Sequence, residues 1–124
     1  MIVDDEPLIC ETVALLLQID GHRVDRASNG EQALALFASA KFDLVITDFA
    51  MPVMSGDKLA AALKMHCPSM PVVMLTGCPE KLAREIPQNF VDLYIGKPFD
   101  LEALRVAIRK CITSEHPQTE PSRN

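Results

Sequence analysis

A chain of 124 residues, 48% hydrophobic and 23% charged, is long enough for one domain around a single core and is not of a disordered class. A formal net charge of −5 argues against a nucleic-acid-binding surface, which needs a clustered basic patch, but leaves room for an acidic pocket that holds a cation. No apolar run approaches the ~20 residues of a membrane span and no leader pattern precedes the first strand, so a soluble cytoplasmic domain is expected.

Met1-Ile2-Val3 reads as a strand stub. Pro7 then opens a helix with Ile9, Val13, Leu16 and Leu17 apolar, and Gly21 stops it, because glycine takes the left-handed cap without a Cβ penalty. His22 to Ala27 is a weak, charge-rich strand that belongs at a sheet edge. Ser28 or Asn29 can cap the next helix, whose Ala33, Leu34, Phe37 and Ala38 share a face. Leu44 to Thr47 is a continuous apolar run, the mark of a strand covered on both faces. Ser55-Gly56-Asp57 leads into a helix on Leu59 and Leu63 that stops near Pro68, and Val72 to Leu75 repeats the buried-strand pattern. Glu80 to Ile86 is a short helix cut off by Pro87. Leu93-Tyr94-Ile95 is a fifth strand, and Asp100 caps a last helix that turns Leu101, Leu104, Ile108, Cys111 and Ile112 inward.

Five strands alternating with five helices predict an α/β fold, a parallel sheet with helices on both faces. The domain is expected over residues 1–112 and a flexible polar tail over 113–124. Cys10, Cys67, Cys78 and Cys111 have neither CxxC nor zinc-site spacing and are expected as small, buried, reduced thiols.

In an open parallel sheet the loops at the carboxyl ends of the strands form the ligand site. Asp4-Asp5-Glu6, Asp48, Thr76 and Lys97 all fall at such ends. Each alone reads as a cap, a turn hydroxyl or a solvated charge; on one rim they read as a site. Asp4, Asp5 and Asp48 bring three negative charges together, and two of these at 4 Å repel by about 4 kcal/mol at an effective dielectric near 20. One divalent cation plus Lys97 would balance them, and hard oxygen donors suit Mg²⁺, which serves phosphate chemistry.

Asp4-Asp5-Glu6-Pro7, Asp48 with Met51-Pro52 and Gly56, Thr76, and Lys97-Pro98-Phe99 resemble the receiver domain of bacterial two-component response regulators. The resemblance covers residues 1 to about 112 and implies a flavodoxin-like three-layer sandwich with strand order 2-1-3-4-5. It implies that Asp48 is the phosphoacceptor, and that Asp4, Asp5, Asp48 and the main-chain carbonyl of Ala50 hold Mg²⁺. Thr76 and Lys97 would meet phosphoryl oxygens, Tyr94 would be the aromatic switch, and Lys97-Pro98 would be cis. Ala50 and Cys78 would tune phosphoryl lifetime, and neither side chain orients a water well, so a long-lived phosphoryl group is expected. The donor would be a histidine kinase or phosphotransfer protein. Such a domain is not an enzyme beyond its own phosphorylation and dephosphorylation.

Two departures stand out. Only three residues precede Asp4: either the native start lies upstream of this sequence or the central strand has lost pairing length, and the second case would weaken the middle of the sheet. After Thr76 the chain runs Gly77-Cys78-Pro79, and Pro87 then cuts the helix short, so the expected signalling face is unusual. A homodimer stays open as a partner state, but the common dimer through that face is placed in doubt. Cys78 as a redox sensor has no evident base beside it.

A haloacid-dehalogenase-type phosphatase would need a second acid where Ala50 stands. A flavodoxin-type cofactor binder would need a hydroxyl-rich loop where Asp4-Asp5-Glu6 stands. The remaining alternative is a receiver-like interaction module that is never phosphorylated; the complete acid, Thr and Lys set speaks against it.

Overall fold

The computed structural model describes residues 1–115, with side-chain surroundings through 112. In chain order the elements are β1 (Ile2–Val3), α1 (Pro7–Ile19), β2 (Arg26–Ala27), α2 (Gly30–Ser39) and β3 (Val45–Asp48). They continue with α3 (Gly56–His66), β4 (Val72–Thr76), α4 (Pro79–Glu85), β5 (Leu93–Gly96) and α5 (Leu101–Glu115). The strands form one parallel sheet in the order β2-β1-β3-β4-β5, as the resemblance implied.

The alternation of side chains along a strand divides the core into two layers. Along β4, Val72 and Met74 pack with Leu59 and Leu63 of α3 and Leu82 of α4. Val73 and Leu75 face the other way, against Val13 and Leu17 of α1 and Leu104 and Ile108 of α5. All four residues of β3 and all five of β4 are buried, which is why these strands read as unbroken apolar runs. No helix among the described residues is long and apolar enough to cross a membrane.

Local chemistry sets the element ends. Pro7 sits in the first turn of α1, where its missing N–H has no intrahelical partner to lose. Gly21 follows that helix at φ +92°. Asn29, rather than Ser28, caps α2, its side chain accepting from the Gln32 N–H at 2.9 Å. Arg105 of α5 clasps Asp20 at the end of α1.

Several expectations shift. The second strand is Arg26–Ala27 and not His22–Ala27, because its ladder partner β1 begins at Ile2: the pairs are Ile2↔Arg26 and Val3↔Ala27. Leu101 is 41% exposed rather than inward, since it opens α5 at the rim of the sheet. On α2, Ala38 is exposed and Leu36 takes part in the packing. Of the four free thiols only Cys10 is buried; Cys67 and Cys111 are intermediate and Cys78 is exposed. Helix α5 continues past 112 to Glu115, and the rest of the expected tail, 116–124, lies outside the described residues.

Candidate functional site

The sheet's topology carries three charged groups and a hydroxyl to one edge. Asp4 follows β1 directly, Asp48 and Thr76 end β3 and β4, and Lys97 follows β5. Asp4 and Asp48 are 1% and 5% exposed, whereas Asp5 faces solvent. Oxygens of Asp4, Asp5 and Asp48 lie within 4.8 Å of one another. Lys97 Nζ stands 2.7 Å from Asp48 Oδ1 and 3.7 Å from Asp4 Oδ2.

Asp4 uses its two oxygens differently. Its Oδ1 accepts from the Glu6 N–H at 2.9 Å, while the buried Oδ2 has no hydrogen-bond partner. Burial pushes the Asp4 carboxyl above the ordinary carboxylate range and the charge of Asp48 adds to this; the Glu6 N–H and Lys97 pull it partly back. Burial alone would lower Lys97, but its hydrogen bond to Asp48 and the charges of Asp4, Asp48 and Glu6 outweigh that and raise it. An orphaned buried carboxylate oxygen beside two more acids is a hard-oxygen donor set of the kind Mg²⁺ takes.

The loop after Asp48 is held by backbone contact. The Gly56 N–H donates to the Phe49 carbonyl at 2.8 Å. A Cβ on Gly56 would lie 2.3 Å from the Asp48 carbonyl oxygen, so only glycine lets α3 begin this close to the strand end. The same loop contains Val53 at φ +73°. Ala50 is exposed in this turn.

Among the described residues, neither Thr76 nor Tyr94 hydrogen-bonds to the carboxylates. The Thr76 hydroxyl accepts from the Cys78 N–H at 3.1 Å and lies 3.6 Å from the Cys78 sulfur. Tyr94 pairs with Met74 in the β4–β5 ladder and packs half-buried in the α2–α3–α4 layer. Its phenol is raised, first by burial and then by Asp57. The Lys97-Pro98 peptide is cis. Two contacts had no sequence signal: the Glu6 N–H on Asp4, and Pro79 of α4 lying 3.4 Å from where a Gly96 Cβ would be.

A family model for the response regulator receiver domain matches residues 1–109. The chain belongs to that family. It is 41% identical over 114 residues to the positive alginate biosynthesis regulatory protein of Pseudomonas aeruginosa, covering 89% of this chain and 45% of that protein. Its identity with the transcriptional regulatory protein GlrR of Escherichia coli is 33%, covering 97% of this chain and 27% of the relative. This receiver therefore spans less than half the length of these curated relatives. Among solved structures it resembles the signal receiver domain of an HD domain-containing protein from Pseudomonas fluorescens. The TM-score is 0.85 and the identity 31%, over 96% of this chain and 89% of that one. It also resembles the response regulator TrrA of Thermotoga maritima in complex with Mg²⁺–BeF, at TM-score 0.81 and 34% identity over 89% and 95% of the two chains. Receivers of two-component systems are phosphorylation-driven switches served by histidine kinases, and that is the functional class of this chain.

Proposed function

We propose that this receiver accepts a phosphoryl group on Asp48 from the phosphohistidine of a histidine kinase or phosphotransfer protein, and that the modified domain alters a partner-binding surface. The observation that carries this is the placement of Asp48. It is a buried carboxylate at the end of a central strand, paired to Lys97 at 2.7 Å beside a second buried acid with a free oxygen.

A carboxylate oxygen of Asp48 attacks phosphorus in line. The new P–O bond forms as the P–N bond to the donor imidazole breaks, and its electron pair stays on that nitrogen, which takes up a proton. The protein's contribution is positioning and charge balance. Gly56 and the Phe49 carbonyl fix the attacking residue, Lys97 balances an incoming phosphoryl oxygen, and Thr76 can donate its hydroxyl to another. Asp4, Asp5, Asp48 and the Ala50 carbonyl would hold Mg²⁺, which when bound draws charge from the phosphoryl oxygens. Thr76 would leave Cys78 for the phosphoryl group, and Tyr94 would follow into the space released. With Ala50 and Cys78 beside the site, hydrolysis is expected to be slow.

The donor must cover the mouth of this site. Helix α1 starts there and exposes Leu8, Leu15 and Ile19, at 73%, 56% and 71%. Spaced seven and four apart, they form one apolar stripe suited to a helical partner.

Incubation with acetyl phosphate and Mg²⁺ followed by intact mass tests the proposal. One added phosphoryl group is expected, absent in Asp48→Asn and blocked by a chelator. No addition would favour an unphosphorylated interaction module. A phosphoryl half-life of seconds would contradict the slow-hydrolysis expectation.

A further inference from the structure

At the edge of the sheet opposite the acids, the amino end of β1 opens on a slot. A cavity of about 500 Å³ lies between residues 22–25, which lead into β2, and residues 41–44, which lead into β3. Successive residues of a central parallel strand turn their main-chain groups to alternate neighbours. The Ile2 N–H donates to the Asp25 carbonyl, whereas Met1 donates to the Leu44 carbonyl and accepts from the Ile46 N–H. One step upstream, a strand residue would therefore meet the Arg23 carbonyl and the Asp25 N–H. Two steps upstream it would meet the Phe42 carbonyl and the Leu44 N–H. Among the described residues, these four groups make no hydrogen bond. The lining follows the same register. Ile2 faces the α1–α5 layer and Met1 the opposite one, and the slot is lined by Leu17, Ile108 and Ile112 of the first layer and Phe42 of the second. At its inner end lies the buried Met1 ammonium, which has only the Leu44 carbonyl as acceptor among the described residues. A chain entering from outside must stop there, and a carboxyl end meets a cation where an amino end would meet a like charge. His22, Arg23 and Lys41 line the slot against Asp25 and Asp43.

We propose that the slot takes the extended, apolar C-terminus of a partner polypeptide, added as a parallel continuation of β1 with its carboxylate on the Met1 ammonium. Main-chain bonds to Arg23, Asp25, Phe42 and Leu44 hold it, and its last side chain seats on Leu17, Ile108 and Ile112. A hydrogen-bonded carboxylate stands about 1.5 Å farther from the amine than a peptide bond would. That is less than half of the ~3.3 Å rise per residue, so the register survives.

The test titrates the full chain with an acetylated Lys-Ser-Val-Val-Leu peptide, read by amide NMR and hydrogen exchange. It is run at about pH 6, where burial still leaves much of the Met1 amine charged. Binding is expected with a Kd on the order of 100 μM, together with slowed exchange at the Asp25 and Leu44 amides. The same peptide as its C-terminal amide should bind roughly tenfold more weakly, and one ending in Asp not measurably. A chain lengthened by Val-Leu before Met1 fills its own slot and should bind none, a control that needs no core substitution. Binding that leaves the Asp25 and Leu44 amides unprotected overturns the proposal, as does equal binding of acid and amide or undiminished binding by the lengthened chain. Octanoate bound as tightly as the peptide would make the slot a plain apolar cavity and overturn it too. No binding at millimolar peptide does the same.

Discussion

Val53 is the non-glycine residue with positive φ among those described, at +73°, and it is β-branched and 71% exposed. A Cβ in this region costs about 1–2 kcal/mol, partly offset in a Val53→Gly comparison by the freer unfolded chain. Val53→Gly is therefore expected to stabilise the fold by about 0.5–1 kcal/mol, read as a melting midpoint a few degrees higher; a lower midpoint would refute the strain. Asp4 gives a pH signature. Its folded pKa lies above its unfolded one, so the folded state binds more protons in that window and stability falls as pH rises through it. Asp4→Asn should raise stability at neutral pH in chelator, flatten that arm of the denaturation profile and weaken Mg²⁺ uptake. At this scale Asp4, Asp5, Asp48 and Lys97 were legible in the sequence, because each sits next to a recognisable strand end. The 2.7 Å Lys97–Asp48 pair and the orphaned Asp4 oxygen were not: they depend on the order of the strands, which puts β1 beside β3 and only β4 between β3 and β5.

At the scale of elements, the buried strands and the helices they feed were readable because apolar runs and helix periods carry that signal. Strand two was not, since its length is set by pairing and β1 gives it only two partners. Upstream of those pairs, a cavity of about 500 Å³ opens between residues 22–25 and 41–44, floored by Leu17, Ile46 and Ile108. Met1 lies beside it with a buried ammonium that donates to the Leu44 carbonyl at 2.9 Å. Burial lowers that amine to about 6, against partial opposition from Asp25 and Asp43. The folded state then binds fewer protons than the unfolded one between about pH 6 and 8, so stability should rise across that range, by at most about 3 kcal/mol. Lengthening β1 by two apolar residues should raise the melting midpoint and erase this dependence. A midpoint unchanged by the extension would mean the slot does not accept a strand.

Across the whole molecule, the proposed function separates a donor face on α1 from an output face at α4. Helix α1 starts at the site and runs away from it with Leu8, Leu15 and Ile19 exposed along its length, while α4 is only seven residues long and begins with Pro79 laid against Gly96. Leu15→Glu is expected to slow phosphotransfer from a phosphohistidine protein roughly tenfold while leaving phosphorylation by acetyl phosphate unchanged, since the small donor needs no docking surface; equal rates with the protein donor would remove α1 from the interface. The short α4 was legible from Pro87, but its seat on β5 was not, because nothing local marks Gly96 as the residue beneath Pro79. Asp48 is proposed as the group that takes the phosphoryl. Borohydride reduction of the acetyl-phosphate-treated protein, followed by peptide mass analysis, reads this directly, because an acyl phosphate is reduced to the alcohol. Conversion is expected at position 48 alone, dependent on Mg²⁺; conversion at Asp4 or Asp5 instead, or at no carboxylate, would rule out Asp48 as the acceptor.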